Sequence, residues 1–185
     1  MGLVPPEGLS FHIRESIDVG HAERIGHGVD VMNEHRPFEL LKEMAELKVL
    51  VEICLTSNDV ILGVKGKDHP FQTYRQFRVP VALATDDEGV SRSDMTHEYL
   101  RALQSYGLSY RDLKQMARES LEHSFLPGAS LWASDARFRS VKDCAFDRPG
   151  QASLSTSCKK FLDTSEKATA QWGLEQEFAS FETKF

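Results

Sequence analysis

The sequence predicts an α/β fold: half of a (β/α)8 barrel, about four βα units, followed by extra C-terminal helices. Three observations predict it. Short apolar runs alternate with amphipathic stretches from residue 10 to residue 108, which is the pattern of βα units on a parallel sheet. The run at 79–85 is apolar almost throughout, as expected of a strand covered on both faces. Four such strands are half of a complete barrel, which takes roughly 250 residues.

The elements follow in order. Residues 10–13 form the first strand candidate. Residues 24–28 form the second, after a short helix containing His21 and Ala22. Residues 37–48 carry Phe38, Leu41, Met44, Ala45 and Leu47 at helical spacing. Pro37 suits the first turn, where a missing N–H costs nothing. The β-branched run 49–54 is the third strand, and 58–68, with Gly63 and Gly66, reads as a loop. A helix over 69–77 leads to the fourth strand, 79–85, and helices over 94–106 and 110–123 follow. Beyond Pro127 the pattern changes. Residues 130–157 read as irregular and 159–185 as one long helix, whose Phe161, Ala168, Trp172, Phe178 and Phe181 make an apolar stripe. The expected organisation is a half-barrel over 1–128, an irregular linker over 129–158, and a C-terminal helix over 159–185 packed on the barrel.

Composition narrows the function. The 185 residues are 41% hydrophobic, enough for a real core, with a net charge of −6 and no basic stripe. Such a surface repels phosphate backbones, so a nucleic-acid polymer is not an expected partner. No apolar run is long enough to span a bilayer, and the N-terminus lacks a signal-peptide shape. The three cysteines, Cys54, Cys144 and Cys158, form no C-x-x-C pair. This argues against a disulfide framework or a cysteine zinc site and for a reducing, cytoplasmic compartment.

Three segments at predicted strand ends carry candidate chemistry: His12 to Glu15, Arg24 to Gly28, and Ala84 to Gly89. Strand ends on one face of a parallel barrel collect catalytic side chains. Asp86 and Asp87 fit a metal ligand beside a substrate contact, since buried charge needs a partner; they equally fit a solvated turn or a helix N-cap. His12 suits zinc through neutral imidazole, with Glu15 placed to move a proton; the alternative is a histidine held by backbone and a surface glutamate. His27, between two glycines, fits either a close approach to a ligand or a tight turn.

Taken together, His12-x-x-Glu15, Arg24-Ile25-Gly26-His27-Gly28, Glu52-Ile53-Cys54-Leu55-Thr56-Ser57-Asn58 and Thr85-Asp86-Asp87 resemble the adenosine/AMP deaminase family of metal-dependent amidohydrolases, from about residue 9 to 127. The resemblance implies Zn2+, with His12 and Asp86 as ligands. It further implies Glu15 as the acid that protonates purine N1 and His27 as the residue orienting zinc-bound hydroxide. Asp87 would meet purine N7, with Ser57 and Asn58 in support. The substrate it implies is a purine nucleoside, hydrolysed to inosine and ammonia. Zinc lowers the pKa of its bound water to about 7, which supplies the hydroxide. The other zinc deaminase architecture needs H-x-E with P-C-x-x-C, and this chain has neither.

Ile13 and Arg14 stand where the family has small residues, and Leu55 where many members have proline. The family's first strand carries His-x-His, which is absent here. The chain is therefore expected to be the C-terminal half of a longer enzyme, inactive alone and able to self-associate through exposed half-barrel edges. The remaining histidines, His21, His35, His69, His97 and His123, read as surface, capping or structural residues. Two other readings stay open: a non-catalytic relic or interaction module, and a related aminohydrolase acting on adenine, AMP or a modified adenosine.

Overall fold

The computed structural model describes residues 5–134 and 138–184. The first four residues of the stretch read for a leader, residues 135–137 of the predicted irregular segment, and the last residue of the predicted long helix lie outside these. The chain divides into two compact units, Met1–Glu119 and Ser120–Phe185.

The first unit is built on a parallel sheet of three strands in chain order: β1 (Arg24–Gly26), β2 (Leu50–Ile53) and β3 (Val81–Leu83). Ile25 pairs with Val51, and Val51 with Val81. All three residues of β3 are buried, as its apolar run requires. α2 (Pro37–Leu47) crosses between β1 and β2, with Leu40, Leu41 and Met44 buried on one face. The unit continues with α5 (Glu88–Ser91), α6 (Met95–Tyr106) and α7 (Tyr110–Glu122). Asp94 caps α6 by accepting from the His97 N–H at 2.7 Å.

Several expectations are corrected. Residues 10–13 are not a strand, so the described residues hold three parallel strands rather than four. His12 opens a helix, α1 (His12–Asp18), which buries Ile13 and Ile17, a spacing of four that belongs to a helix face. His21 and Ala22 come after this helix, not within one. The predicted loop 58–68 is largely α3 (Leu55–Leu62), closed by left-handed Gly63, and a 3-10 turn at Gly66–Asp68. The helix predicted over 69–77 is the shorter α4 (Phe71–Gln76).

Both misread helix starts are held by carboxylates far along the chain. Glu34 accepts from the Ile13 N–H at 2.6 Å, and fully buried Glu98 accepts from the Thr56 N–H through both oxygens at 3.3 Å. A carboxylate at a helix N-terminus satisfies an orphan donor and complements the helix dipole.

The second unit contains an antiparallel pair, β4 (Trp132–Ser134) and β5 (Arg139–Ser140), where an irregular segment was expected. Its long helix is two helices, α8 (Thr156–Leu162) and α9 (Glu166–Glu182). The break falls at Ser165, whose hydroxyl accepts from the Ala168 N–H at 3.0 Å and donates to the Ala129 carbonyl at 2.6 Å. Of the predicted stripe, Ala168 and Trp172 enter this unit's own core, and Phe161 packs against it. Phe181 stays exposed. Cys144 and Cys158 are joined in a disulfide, which corrects the reading of unpaired cysteines, while Cys54 is free and buried. The sulfurs close a loop of 14 residues, a length for which cross-linking is worth about 3 kcal/mol. Among the described residues no helix is long and apolar enough to cross a membrane.

Candidate functional site

The strands β1 and β3 flank β2, and each ends in a residue with an unusual backbone. His27, just past β1, has φ of 63°, and Asp86, shortly after β3, has φ of 58°. Left-handed conformations are uncommon in non-glycine residues and cluster at functional sites. The His27 N–H still donates to the Glu52 carbonyl at 2.9 Å, so the pairing with β2 runs on through the turn. Gly28 must be glycine. At its φ of 59° a Cβ would lie 2.5 Å from the Tyr74 hydroxyl, which donates to the Gly28 carbonyl at 2.6 Å.

These turns bring His27 and Asp86 together, with Nε2 3.7 Å from Asp86 Oδ2 and side chains 25% and 30% exposed. The first turn of α3, following β2, fills the space between them. Ser57 donates its hydroxyl to Asp86 Oδ2 at 2.7 Å. Asn58 places Oδ1 2.8 Å from His27 Nδ1 on one side and Nδ2 2.8 Å from His69 Nε2 on the other. Both Ser57 and Asn58 are 1% exposed, so their side chains are held by this network and not by water. Arg101 anchors the same helix, donating to Thr56 Oγ1 at 3.3 Å and pairing with Asp59; that guanidinium holds the Asp59 carboxyl below its usual range.

Four of the seven residues singled out by sequence therefore converge: His27, Ser57, Asn58 and Asp86. Asp87 is adjacent in sequence and exposed. It takes the N-cap position of α5 without a side-chain cap bond, so its carboxylate remains available to a ligand.

His12 and Glu15 do not join them. His12 stands at a helix start, with Nδ1 3.0 Å from the Gly8 carbonyl and 3.3 Å from Glu34 Oε1. Its Nε2 is buried without a hydrogen-bond partner, as in a metal-ligating imidazole, but its carboxylate neighbour is Glu34 and not Asp86. Glu15 lies in the first turn of α1 and is exposed. Among the described residues no group of three or more His, Cys, Asp or Glu side chains is gathered so as to hold a metal ion.

Sequence reasoning missed Glu34, Glu98 and Arg101, and read His69 only as a structural residue. His69 is buried, at 3% exposure, not on the surface; burial, with help from Arg101 and His27, pushes its pKa down to about 4. Its one local signal is the following Pro70. Cys54 is no nucleophile, because burial and nearby carboxylates, Asp86 first, push its thiol up to about 12.

Residues 7–131 match the family model described as adenosine deaminase. A relative named adenosine deaminase, from Clostridium perfringens, is 34% identical over 119 residues, covering 64% of this chain and 35% of that protein. Among solved structures, an adenine deaminase from Arthrobacter aurescens aligns with a TM-score of 0.58 at 25% identity, over 74% of this chain and 38% of that one. The N6-methyl-AMP deaminase of Arabidopsis thaliana aligns at 0.53 and 26%, over 68% and 35%. The chain thus spans about a third of the length of the curated relatives it matches.

Proposed function

This chain belongs to the adenosine deaminase family, and from that premise we propose that it supplies one wall of a site for hydrolytic deamination of a purine nucleoside. The observation that carries the proposal is the meeting of His27 and Asp86 from two strand ends, both in left-handed backbone and both tied down by the start of α3. Strand-end side chains held by buried neighbours are pre-organised, so they need not be reoriented during reaction. Asp86 offers a carboxylate whose second oxygen is free of the Ser57 bond. His27 presents Nε2 toward it, and exposed Asp87 is the candidate contact to the purine ring. The three parallel strands with their helices fit a segment of a larger barrel.

Zinc is the metal that the resemblance implies, with Asp86 as a ligand. A catalytic zinc takes three protein donors or more. The described residues bring one carboxylate and one imidazole together here, so this chain's own described residues do not complete such a site. Self-association through sheet edges belongs to the same proposal, as does negligible turnover by the 185-residue chain alone.

A second reading, deamination of adenine or an adenine nucleotide, is favoured by the two structural neighbours, an adenine deaminase and an N6-methyl-AMP deaminase. A graft tests both: residues 7–131 replace the matching stretch of the Clostridium perfringens protein, and ammonia release is followed with adenosine, deoxyadenosine, adenine and AMP. Release with adenosine or deoxyadenosine supports the first reading. Release confined to adenine or AMP supports the second. A folded graft that releases none from any of them contradicts both.

A further inference from the structure

We propose that His69 is a positioning residue: acting through the Asn58 amide, it dictates which ring nitrogen of His27 carries the proton. The argument starts from a donor that has no choice. The Phe71 backbone N–H points at His69 Nδ1, 3.1 Å away, so that nitrogen must accept. His69 is buried and neutral, so its single ring proton sits on Nε2. That N–H meets the Asn58 amide, which is placed with Nδ2 2.8 Å from His69 Nε2 and Oδ1 2.8 Å from His27 Nδ1; two donors cannot face each other, so the amide must be turned over, with its oxygen at His69. Turned over, the amide sets its NH2 at His27 Nδ1. His27 Nδ1 therefore accepts, and its proton is placed on Nε2, the nitrogen that faces Asp86 at 3.7 Å.

The oxygen and nitrogen of a carboxamide have nearly the same shape, so the network around them decides the orientation. The unturned orientation fails on donor counting. It would set the Asn58 NH2 against His69 Nε2 and force the His69 proton onto Nδ1, against the Phe71 N–H, in a site closed to water. One backbone donor therefore sets three side chains in series, each satisfied by the next. His27 in this state presents an N–H, not a lone pair, to Asp86 and to any oxygen held beside it. The tautomer follows from the hydrogen bonds alone, and its use in catalysis rests on the deaminase reading above.

The test is the two-bond proton–nitrogen coupling pattern of the histidine rings, read at neutral pH on the full 185-residue chain with labelled histidine. His27 and His69 are both expected as Nε2–H tautomers. Asn58→Asp offers only acceptors and should move His27 to Nδ1–H. His69→Phe frees the amide and should give His27 a mixture of tautomers, while His69→Gln, whose amide can donate to Asn58, should restore Nε2–H. A wild-type His27 protonated on Nδ1 overturns the proposal without any variant, as does a folded His69→Phe chain whose His27 is unchanged. Failure of the deaminase reading shows elsewhere, in a graft that releases no ammonia while the tautomers stand as stated.

Discussion

His12 lies 3.3 Å from Glu34 and His27 lies 3.7 Å from Asp86, yet the two pairs are built for different work. Glu34 is committed to the Ile13 N–H at 2.6 Å and is almost fully buried. His12 leans on it at the first turn of a helix. That pair closes a helix end. The second pair sits at strand ends, in strained backbone and partly open to solvent. Its supports are side chains, Ser57 and Asn58, which leave Asp86 and His27 each with a free face. A histidine next to a carboxylate is thus not a site in itself. What separates the two is that Glu34 is bound by a backbone N–H and Asp86 by a side-chain hydroxyl.

The largest effect expected is on chemistry at the second pair. In the graft described above, His27→Ala should lower ammonia release from adenosine by roughly 10²–10⁴-fold, the usual worth of a positioned proton-handling group. A loss below about threefold would erase the distinction between the pairs.

Next is the pH dependence of stability through His69. Its pKa is lowered from 6.5 to about 4 in the fold, so between those values the unfolded chain binds the proton that the native chain refuses. The stabilisation is present above pH 6.5 and is lost as pH falls toward 4. At about 1.4 kcal/mol per pKa unit this is on the order of 3 kcal/mol. Urea midpoints measured across that range should fall with pH in the wild type and fall less in His69→Gln. Parallel curves would contradict a buried neutral His69.

A smaller effect should come from the first pair. Glu34→Ala strips the acceptor from the Ile13 N–H and should cost about 1–3 kcal/mol of stability, the range for a buried donor left unmatched. It should leave the ring-coupling pattern of His27 as it was. A changed His27 pattern would mean that the two pairs are one network.

Much of the fold was legible where the signal is local. β2 and β3 announced themselves as apolar runs, and α2 by Pro37 and its apolar spacing. α6 matched closely, from Asp94 onward. What escaped had non-local causes. α1 and α3 begin at N–H groups satisfied by Glu34 and Glu98, which lie 21 and 42 residues away, so no window of sequence contains the cap. Residues 58–68 read as a loop, because burial of Asn58 in a hydrogen-bond network is a property of the assembled unit. The break between α8 and α9 was a missed local signal: Asp163-Thr164-Ser165 is a run of capping residues, overlooked inside an otherwise helical stretch. The site was half legible for the same reason. Arg24 to Gly28 and Thr85 to Asp87 are strand-end motifs whose position matches their chemistry. His12-x-x-Glu15 stands on a helix where a strand end was expected, with His12 beside Glu34 and Glu15 exposed.

The account's central claim is that the strand-end pair belongs to the reacting face. Turnover of the graft carrying Asp86→Asn, set beside the graft carrying Glu15→Gln under saturating adenosine, tests it most directly. The account predicts a loss of at least roughly 10²-fold for Asp86→Asn, the lower end for removal of a positioned charge, and a loss of roughly 10²–10⁴-fold for Glu15→Gln, the acid that the resemblance implies. An Asp86→Asn graft that keeps its turnover would contradict it.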